Sequence, residues 1–166
     1  MPPTNRSLLM RANRLLGAQL VEHNLVKIED LEKANERLLE VIGSDLPRQT
    51  TVLGILAFEH KVVREEDILA HVVDHERIGL IDLAHFEIED EIKSKIDIGA
   101  AWATWSVLID KEEDVTSIAT AYYLSPAVRK YWEGEIDGQV LWFGTTMESI
   151  AELLESLAQS AGTAES

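Results

Sequence analysis

The sequence contains no cysteine, which excludes disulfide frameworks, cysteine-ligated zinc, iron–sulfur clusters and thiol nucleophiles. It is also poor in positive charge, with 15 Lys and Arg residues against 30 Asp and Glu residues and a net charge of −15. An acidic surface repels phosphate, and the densest basic grouping is the scatter of Arg6, Arg11 and Arg14. We therefore expect no nucleic-acid partner and no docking on an anionic membrane surface.

Long apolar runs are absent as well. No run approaches the roughly 20 residues that a membrane span requires, and Met1 to Arg6 opens no signal-peptide core. Hydrophobic residues nevertheless make up 46% of the 166 residues, a proportion typical of a folded domain rather than a disordered chain. These features predict a cytoplasmic protein without direct membrane insertion.

The sequence also lacks the common catalytic signatures. It holds no Gly-x-Ser-x-Gly, His-Glu-x-x-His or Gly-x-Gly-x-x-Gly motif, and no glycine precedes a lysine as in a phosphate-binding loop. Acidic clusters occur at Glu87–Glu91 and Glu112–Asp114, but they lie in polar segments where a carboxylate stays solvated. We therefore expect neither an enzyme nor a bound cofactor.

What the first half does carry is an internal repeat. Leu16-Gly17 is echoed by Leu53-Gly54, and further identities follow at the same offset. Each copy places apolar residues at helical spacing and predicts a helix, a short turn and a second helix, joined by a loop at Gly43–Pro47. Because neither hairpin can bury its apolar face alone, we expect the two to pack as a small helical bundle. Chance similarity between two amphipathic hairpins is the alternative.

From Ile78 the pattern changes to short strands and helices. It predicts a strand over Ile78–Leu83, a helix over Glu87–Ile98, a hairpin of strands over Trp102–Ile109 and Val115–Leu124, a helix opened by Ser125-Pro126, a strand over Gln139–Phe143, and a final helix capped by Thr145 or Thr146. The order β-α-β-β-α-β-α predicts a compact α+β unit with a small mixed or antiparallel sheet.

We therefore expect an α+β protein in four parts. These are an N-terminal arm (1–9), the duplicated helical hairpins (10–77), the α+β unit (78–157) and a small-residue tail (158–166).

The two Leu-Gly hairpins followed by an α+β unit resemble the N-terminal domain of bacterial type II secretion and type IV pilus assembly ATPases. The matching stretches are Leu15-Leu16-Gly17 to Leu38, Val52-Leu53-Gly54 to His75, Ile118–Ala121 in place of a Val-Ala-Met-Ala strand, and Thr146–Leu157 as the closing helix. The resemblance implies a docking domain whose protein partner is the cytoplasmic part of an inner-membrane secretion or pilus component. The chain would then lie at the inner membrane through that partner, and it carries no ATPase half.

Some members of this family bind cyclic di-GMP through the hairpins. The positions here that match the motif are Leu16, Gly17, Leu53 and Gly54. The motif arginines are replaced by Leu15 and Val52, and Arg14 stands one residue early, which turns its side chain by about 100° on a helix. The motif glutamines are replaced by Leu38 and His75. Because the bidentate phosphate contact is lost, cyclic di-GMP is the alternative ligand rather than the expected one.

Two histidines have a spacing that could chelate a transition metal. His71 and His75 stand four residues apart on a predicted helix, so both imidazoles lie on one face. A third ligand is required, and His85 is the nearest further imidazole in the sequence. A hydrated helix face is the alternative, and we expect no metal. His23 and His60 occupy equivalent repeat positions, which indicates a shared structural role near the turns.

Four aromatic residues are candidates for a protein interface: Trp102, Trp105, Tyr122 and Tyr123. In predicted strands each pair faces opposite sides of the sheet, which leaves one Trp and one Tyr on an outer face, where such side chains are favoured anchors. Burial of all four under helices is the alternative. With an acidic surface complementary to a basic partner, these features predict a non-enzymatic protein-interaction domain.

Overall fold

The first half of the chain folds into paired helices. The computed structural model describes residues 3–41 and 51–165, with side chains described over 5–41 and 51–159. The helices of this half are α1 (Pro3–Glu22), α2 (Ile28–Val41), α3 (Val52–Gly54), continued by a π-helical turn over Ile55–Glu59, and α4 (Glu65–Glu76). The predicted loop at Gly43–Pro47 lies outside the described residues.

The two helical turns share one unusual backbone conformation. Asn24 and Lys61 occupy equivalent repeat positions, and both are left-handed, with φ of 59° and 55°. Asn adopts this conformation readily, whereas Lys does so at a cost in free energy. After each turn a valine of the repeat, Val26 or Val63, is buried. The equivalent turns therefore follow the same path.

The predicted arm is part of the first helix. Helix α1 begins at Pro3, because Leu8, Ala12, Leu16 and Leu20 form one buried stripe at helical spacing that starts before residue 10. At the other end, the predicted tail continues helix α8 (Met147–Glu165).

The second half supplies a mixed four-stranded sheet. Its strands are β1 (Gly79–Leu80), β2 (Ser106–Glu112), β3 (Val115–Thr120) and β4 (Gln139–Gly144), in the order β1-β4-β3-β2. Strand β4 pairs in parallel with β1 and β3, whereas β2 and β3 form an antiparallel hairpin. The α+β class predicted from the sequence is confirmed, and of the two predicted sheet types, mixed or antiparallel, the sheet is mixed.

Two predicted elements before this hairpin differ from the structure. The Ile78–Leu83 strand is reduced to β1 and is followed by a 3-10 turn at Leu83–His85. The Glu87–Ile98 helix is replaced by α5 (Asp90–Lys93) and α6 (Ile98–Thr104). Asp97 starts α6 by accepting a hydrogen bond from the Ala100 amide at 3.1 Å, and this cap separates the two helices.

The strand predicted to begin at Trp102 begins instead at Ser106. Trp102 lies within α6, and Trp105 ends that helix in a left-handed conformation with φ of 48°. The run Ile98–Thr104 contains three alanines, which favour a helix once Asp97 has capped it. Tyr122 and Tyr123 likewise lie beyond the end of β3 at Thr120. The face assignments of all four aromatics are therefore wrong.

The last two predicted helices form as expected. Helix α7 (Pro126–Glu135) begins after Ser125, although the Ser125 hydroxyl donates to the Ala12 carbonyl at 2.9 Å and does not cap α7. Before α8, the Ser149 amide donates to the Thr146 Oγ1 atom at 3.2 Å, which confirms Thr146 as the cap.

Buried polar contacts join the helical half to the sheet half. The Asn13 Oδ1 atom of α1 accepts hydrogen bonds from the Val52 amide at 2.8 Å and from the Tyr122 hydroxyl at 2.7 Å. The Glu65 Oε2 atom of α4 accepts one from the Met147 amide, which opens α8, at 3.0 Å. One cluster of buried apolar side chains also includes residues of both halves, such as Leu16 and Ile150.

Candidate functional site

The Leu-Gly pairs of the repeat are packing residues. Leu16 and Leu53 are each 1% exposed, and Gly17 and Gly54 are buried. A Cβ atom on Gly17 would stand 2.6 Å from the Leu31 Cδ1 atom, so this glycine lets α1 and α2 approach closely. These four dinucleotide-motif positions therefore lie in the core of the described structure, whereas Arg14 is exposed.

The arginines of α1 come together on one side of the helical half. Arg6, Arg11 and Arg14 are exposed and line a groove of about 620 Å³ between α1 and α2. Leu38, which replaces a motif glutamine, lines the same groove. The sequence does not indicate that these arginines share a groove, because the groove forms only where α2 packs against α1.

The histidine pair has a different third member from the one the sequence indicated. The rings of His71 and His75 stack with centroids 4.3 Å apart, and the His23 ring lies 4.8 Å from His71. His85 is exposed, and its Nδ1 atom lies 2.6 Å from the Asp82 Oδ2 atom. Stacked rings do not direct their nitrogens at one point. Among the described residues, no group of three or more His, Asp or Glu could hold a metal ion.

His71 lies at the centre of this cluster. Its Nε2 atom is buried without a hydrogen-bond partner among the described residues. Desolvation lowers the pKa of His71 below its ordinary value, and the neighbouring His75 and His23 lower it further, while Glu76 and Asp74 raise it. The three rings therefore form a contact between the end of α1 and α4, in which His71 favours the neutral imidazole.

The aromatic interface candidates are mostly internal. Trp105 and Tyr122 are 1% and 0% exposed, so these two belong to the core and are wrong as interface anchors. Trp102 is half-buried and packs edge-on against Trp105, with ring centroids 5.3 Å apart. Tyr123 is half-buried under the Arg129 guanidinium, which lies 5.1 Å from the ring centroid. Helix α6 and the segment after β3 carry these rings inward.

An apolar surface that the sequence did not show lies on one face of the sheet. Along β4, Leu141 and Phe143 point to this face, while Trp142 points to the other and is buried. Leu141 is 49% exposed, and its partner on β3 is the small Ser117. Phe86 lines the same surface from the segment that follows the 3-10 turn. Together these residues line a groove of about 670 Å³, the sheet groove.

One end of the sheet groove is acidic. Asp110, Glu112 and Glu113 line it from the end of the β2–β3 hairpin, and none of the described lining residues is basic. A register shift between Leu108 and Asp110 places Asp110 opposite Ser117 and turns its side chain toward the groove. Glu112 and Glu113 are exposed, so their charges are hydrated. The sheet groove thus combines an apolar floor with a negative rim.

Over the described residues, no helix combines the length and the apolar character that crossing a lipid bilayer demands.

No protein-family model matches the sequence, and no curated protein matches it. A solved structure of MshE with cdg is similar, with a TM-score of 0.53, 15% identity, and coverage of 86% of this chain and 97% of that chain. At this identity the likeness is one of fold. Because it extends over most of both chains, it concerns the arrangement of the helices and the sheet together.

Proposed function

We propose that the chain is a non-enzymatic protein-interaction domain that acts as an adaptor. The observation that carries this proposal is the sheet groove, in which Leu141 is exposed and Phe86 and Phe143 are half-buried beside three carboxylates. Exposed apolar surface rimmed by polar groups is typical of protein-binding sites. Covering the exposed part of Leu141 and Phe143 would contribute roughly 1–2 kcal/mol to binding.

The fold supports a particular class of partner. The fold is like that of MshE with cdg, and the sequence resembles the N-terminal domain of type II secretion and type IV pilus assembly ATPases. In that family the domain docks on the cytoplasmic part of an inner-membrane component. We infer the same kind of partner here, with the chain on the cytoplasmic side of the membrane. The net charge of −15 would speed association with a basic partner surface and make it sensitive to salt.

The acidic clusters favour binding over catalysis. Glu87, Glu89 and Glu91 are exposed, and so are Glu112 and Glu113. General acid or base chemistry requires a carboxylate that is desolvated in a pocket, which raises its pKa. Solvated carboxylates serve better as a charged docking surface.

The test is recovery of a membrane partner. A tagged chain is incubated with solubilised inner membranes of the source cell, and the retained proteins are identified by mass spectrometry. We expect a secretion or pilus assembly component to be enriched over an equally acidic, unrelated tagged protein, and less of it at high salt. Equal recovery with both baits would overturn the proposal.

A second function is favoured by one observation, the arginine groove of α1 in a chain whose fold is like that of MshE with cdg. In this alternative the chain binds cyclic di-GMP, and Arg14 contacts a phosphate. A thermal-shift titration tests it, because a ligand of the folded state raises the melting temperature with concentration. A rise that Arg14→Ala abolishes and Arg77→Ala retains supports this alternative, whereas no rise excludes it.

A further inference from the structure

The sheet groove has two chemically distinct parts. Its floor is formed by Phe86, Leu141 and Phe143, and its rim by the carboxylates at the end of the β2–β3 hairpin. Leu141 and Phe143 lie two residues apart on β4 and therefore share one face of the sheet, so large side chains of an extended or helical segment can fit between them. The rim then lies at one end of that segment, not around it.

The charge of the rim selects among occupants. A second copy of this chain would bring like-charged rims together, which opposes self-association at the sheet groove. An acidic or phosphate-bearing partner would be repelled in the same way. A segment with lysine or arginine beside its apolar residues would instead pair with Asp110, Glu112 and Glu113 while covering Leu141 and Phe143.

We propose that the sheet groove binds a basic amphipathic segment of a protein partner, with apolar side chains on Leu141 and Phe143 and basic side chains on Glu112 and Glu113. This inference rests on the proposed adaptor function and names the surface and the chemistry of its partner. The apolar floor supplies affinity, and the rim fixes the direction in which the segment lies.

The first test uses defined peptides. A short fluorescent peptide of alternating leucine and lysine is titrated with the protein, and a leucine–glutamate peptide of equal length is the comparison; binding is followed by fluorescence anisotropy. We expect saturable binding of the lysine peptide at one site and none of the glutamate peptide. Absence of saturable binding by the lysine peptide would overturn the proposal.

Matched variants separate the sheet groove from the general acidity of the chain. The double variant Glu112→Lys, Glu113→Lys changes the rim, and Glu133→Lys, Glu135→Lys makes the same change in net charge at exposed positions of α7. We expect the first double variant to lower the affinity for the lysine peptide about tenfold, and the second to lower it less than about threefold. Equal weakening would show that net charge alone attracts the peptide and would also overturn the proposal.

The apolar floor has its own pair of variants. Leu141→Ala removes an exposed side chain of the floor, and Leu39→Ala removes one that is 70% exposed on α2. We expect only the first variant to weaken binding of the lysine peptide, and circular dichroism establishes that both variants remain folded.

If the wild-type chain recovers its membrane partner and Leu141→Ala recovers it equally well, the sheet groove is excluded while the adaptor function stands. If the peptide binds as expected but no partner is recovered, the adaptor function fails and the groove chemistry stands.

Discussion

The Tyr122 hydroxyl donates a hydrogen bond to the Asn13 Oδ1 atom over 2.7 Å, although the two residues lie in opposite halves of the sequence. The same oxygen accepts a hydrogen bond from the Val52 amide, and the Asn13 Nδ2 group donates one to the Leu9 carbonyl. Asn13 is 2% exposed, and the two bonds to its oxygen are buried. One amide side chain therefore fixes α1 to both the second hairpin and the segment after β3.

We expect Asn13→Ala to destabilise the fold by about 3 kcal/mol, because it leaves two buried donors without their acceptor. Tyr122→Phe leaves the Asn13 oxygen bonded to Val52 and removes a hydroxyl that also interacts with Thr51 and the Leu53 backbone, so it should cost less, about 1–2 kcal/mol. Urea unfolding measures both. An Asn13→Ala cost no larger than that of Tyr122→Phe would contradict the shared role of this oxygen.

Two glycines predict opposite effects of the same substitution. Gly138 has φ of +96°, and a Cβ atom there would lie 2.2 Å from the Asp114 carbonyl oxygen, so Gly138→Ala should cost more than about 2 kcal/mol. Gly134 lies in α7, and a Cβ atom there would have no neighbour within 4 Å. Gly134→Ala should therefore stabilise the chain by about 0.5–1 kcal/mol. Thermal unfolding of the two variants is the measurement, and shifts of the same sign would refute this account.

The histidine cluster predicts a loss of stability in weak acid. The folded-state pKa of His71 is lowered from its ordinary 6.5, mainly by desolvation and then by His75 and His23, so the unfolded chain binds the proton first. The stabilisation is fully present above the unfolded pKa and is lost as pH falls through 6.5 and then through the folded pKa. Asp74 and Glu76 oppose this loss without reversing it.

Melting temperatures between about pH 8 and pH 5 test the cluster. We expect His71→Phe, which keeps a ring between its neighbours, to flatten the pH dependence. A wild-type melting temperature that falls no more than that of His71→Phe would exclude the cluster as a source of acid sensitivity.

Glu65 predicts a difference between two neutral replacements. Its carboxylate accepts a hydrogen bond from the Met147 amide at the start of α8, while desolvation raises the pKa of Glu65. Glu65→Gln keeps an acceptor oxygen and should change the free energy of unfolding by less than about 1 kcal/mol, whereas Glu65→Ala should cost about 2 kcal/mol. Similar costs for both variants, measured in urea, would show that the bond to Met147 contributes little.

The same residue sets a second pH effect of opposite sign. Because the folded-state pKa of Glu65 is raised, its contribution to stability is present below the unfolded pKa and is lost as pH rises through the folded one. Glu65→Gln should therefore gain stability relative to the wild type as pH rises. A difference between the two that stays constant with pH would contradict a raised pKa.

Local patterns predicted those elements whose signals are contained within a few residues. Pro126 and Thr146 mark helix starts, and the repeat register placed Asn24 and Lys61 at equivalent turns. The apolar and aromatic neighbours of Trp102 predict a strand, whereas the Asp97 cap before the alanines starts a helix there. Here one capping residue decided between two elements.

The candidate sites depend on contacts between distant segments. His23 joins His71 because α1 and α4 meet in three dimensions, whereas sequence proximity indicated His85. Likewise, Phe86 and Leu141 line one groove although they lie far apart in the sequence, and no local pattern contains that arrangement. Sequence reasoning thus found the residue types of the sites without their partners.

The parallel pairing of β1 with β4 has a consequence for synthesis. Gly79 and Leu80 leave the ribosome well before Phe143 and Gly144, the residues with which they pair. Glu65 likewise waits for Met147. During translation the helical half therefore emerges with its sheet-side contacts unmade, and a nascent chain that stalls before β4 exposes apolar surface that the finished protein covers.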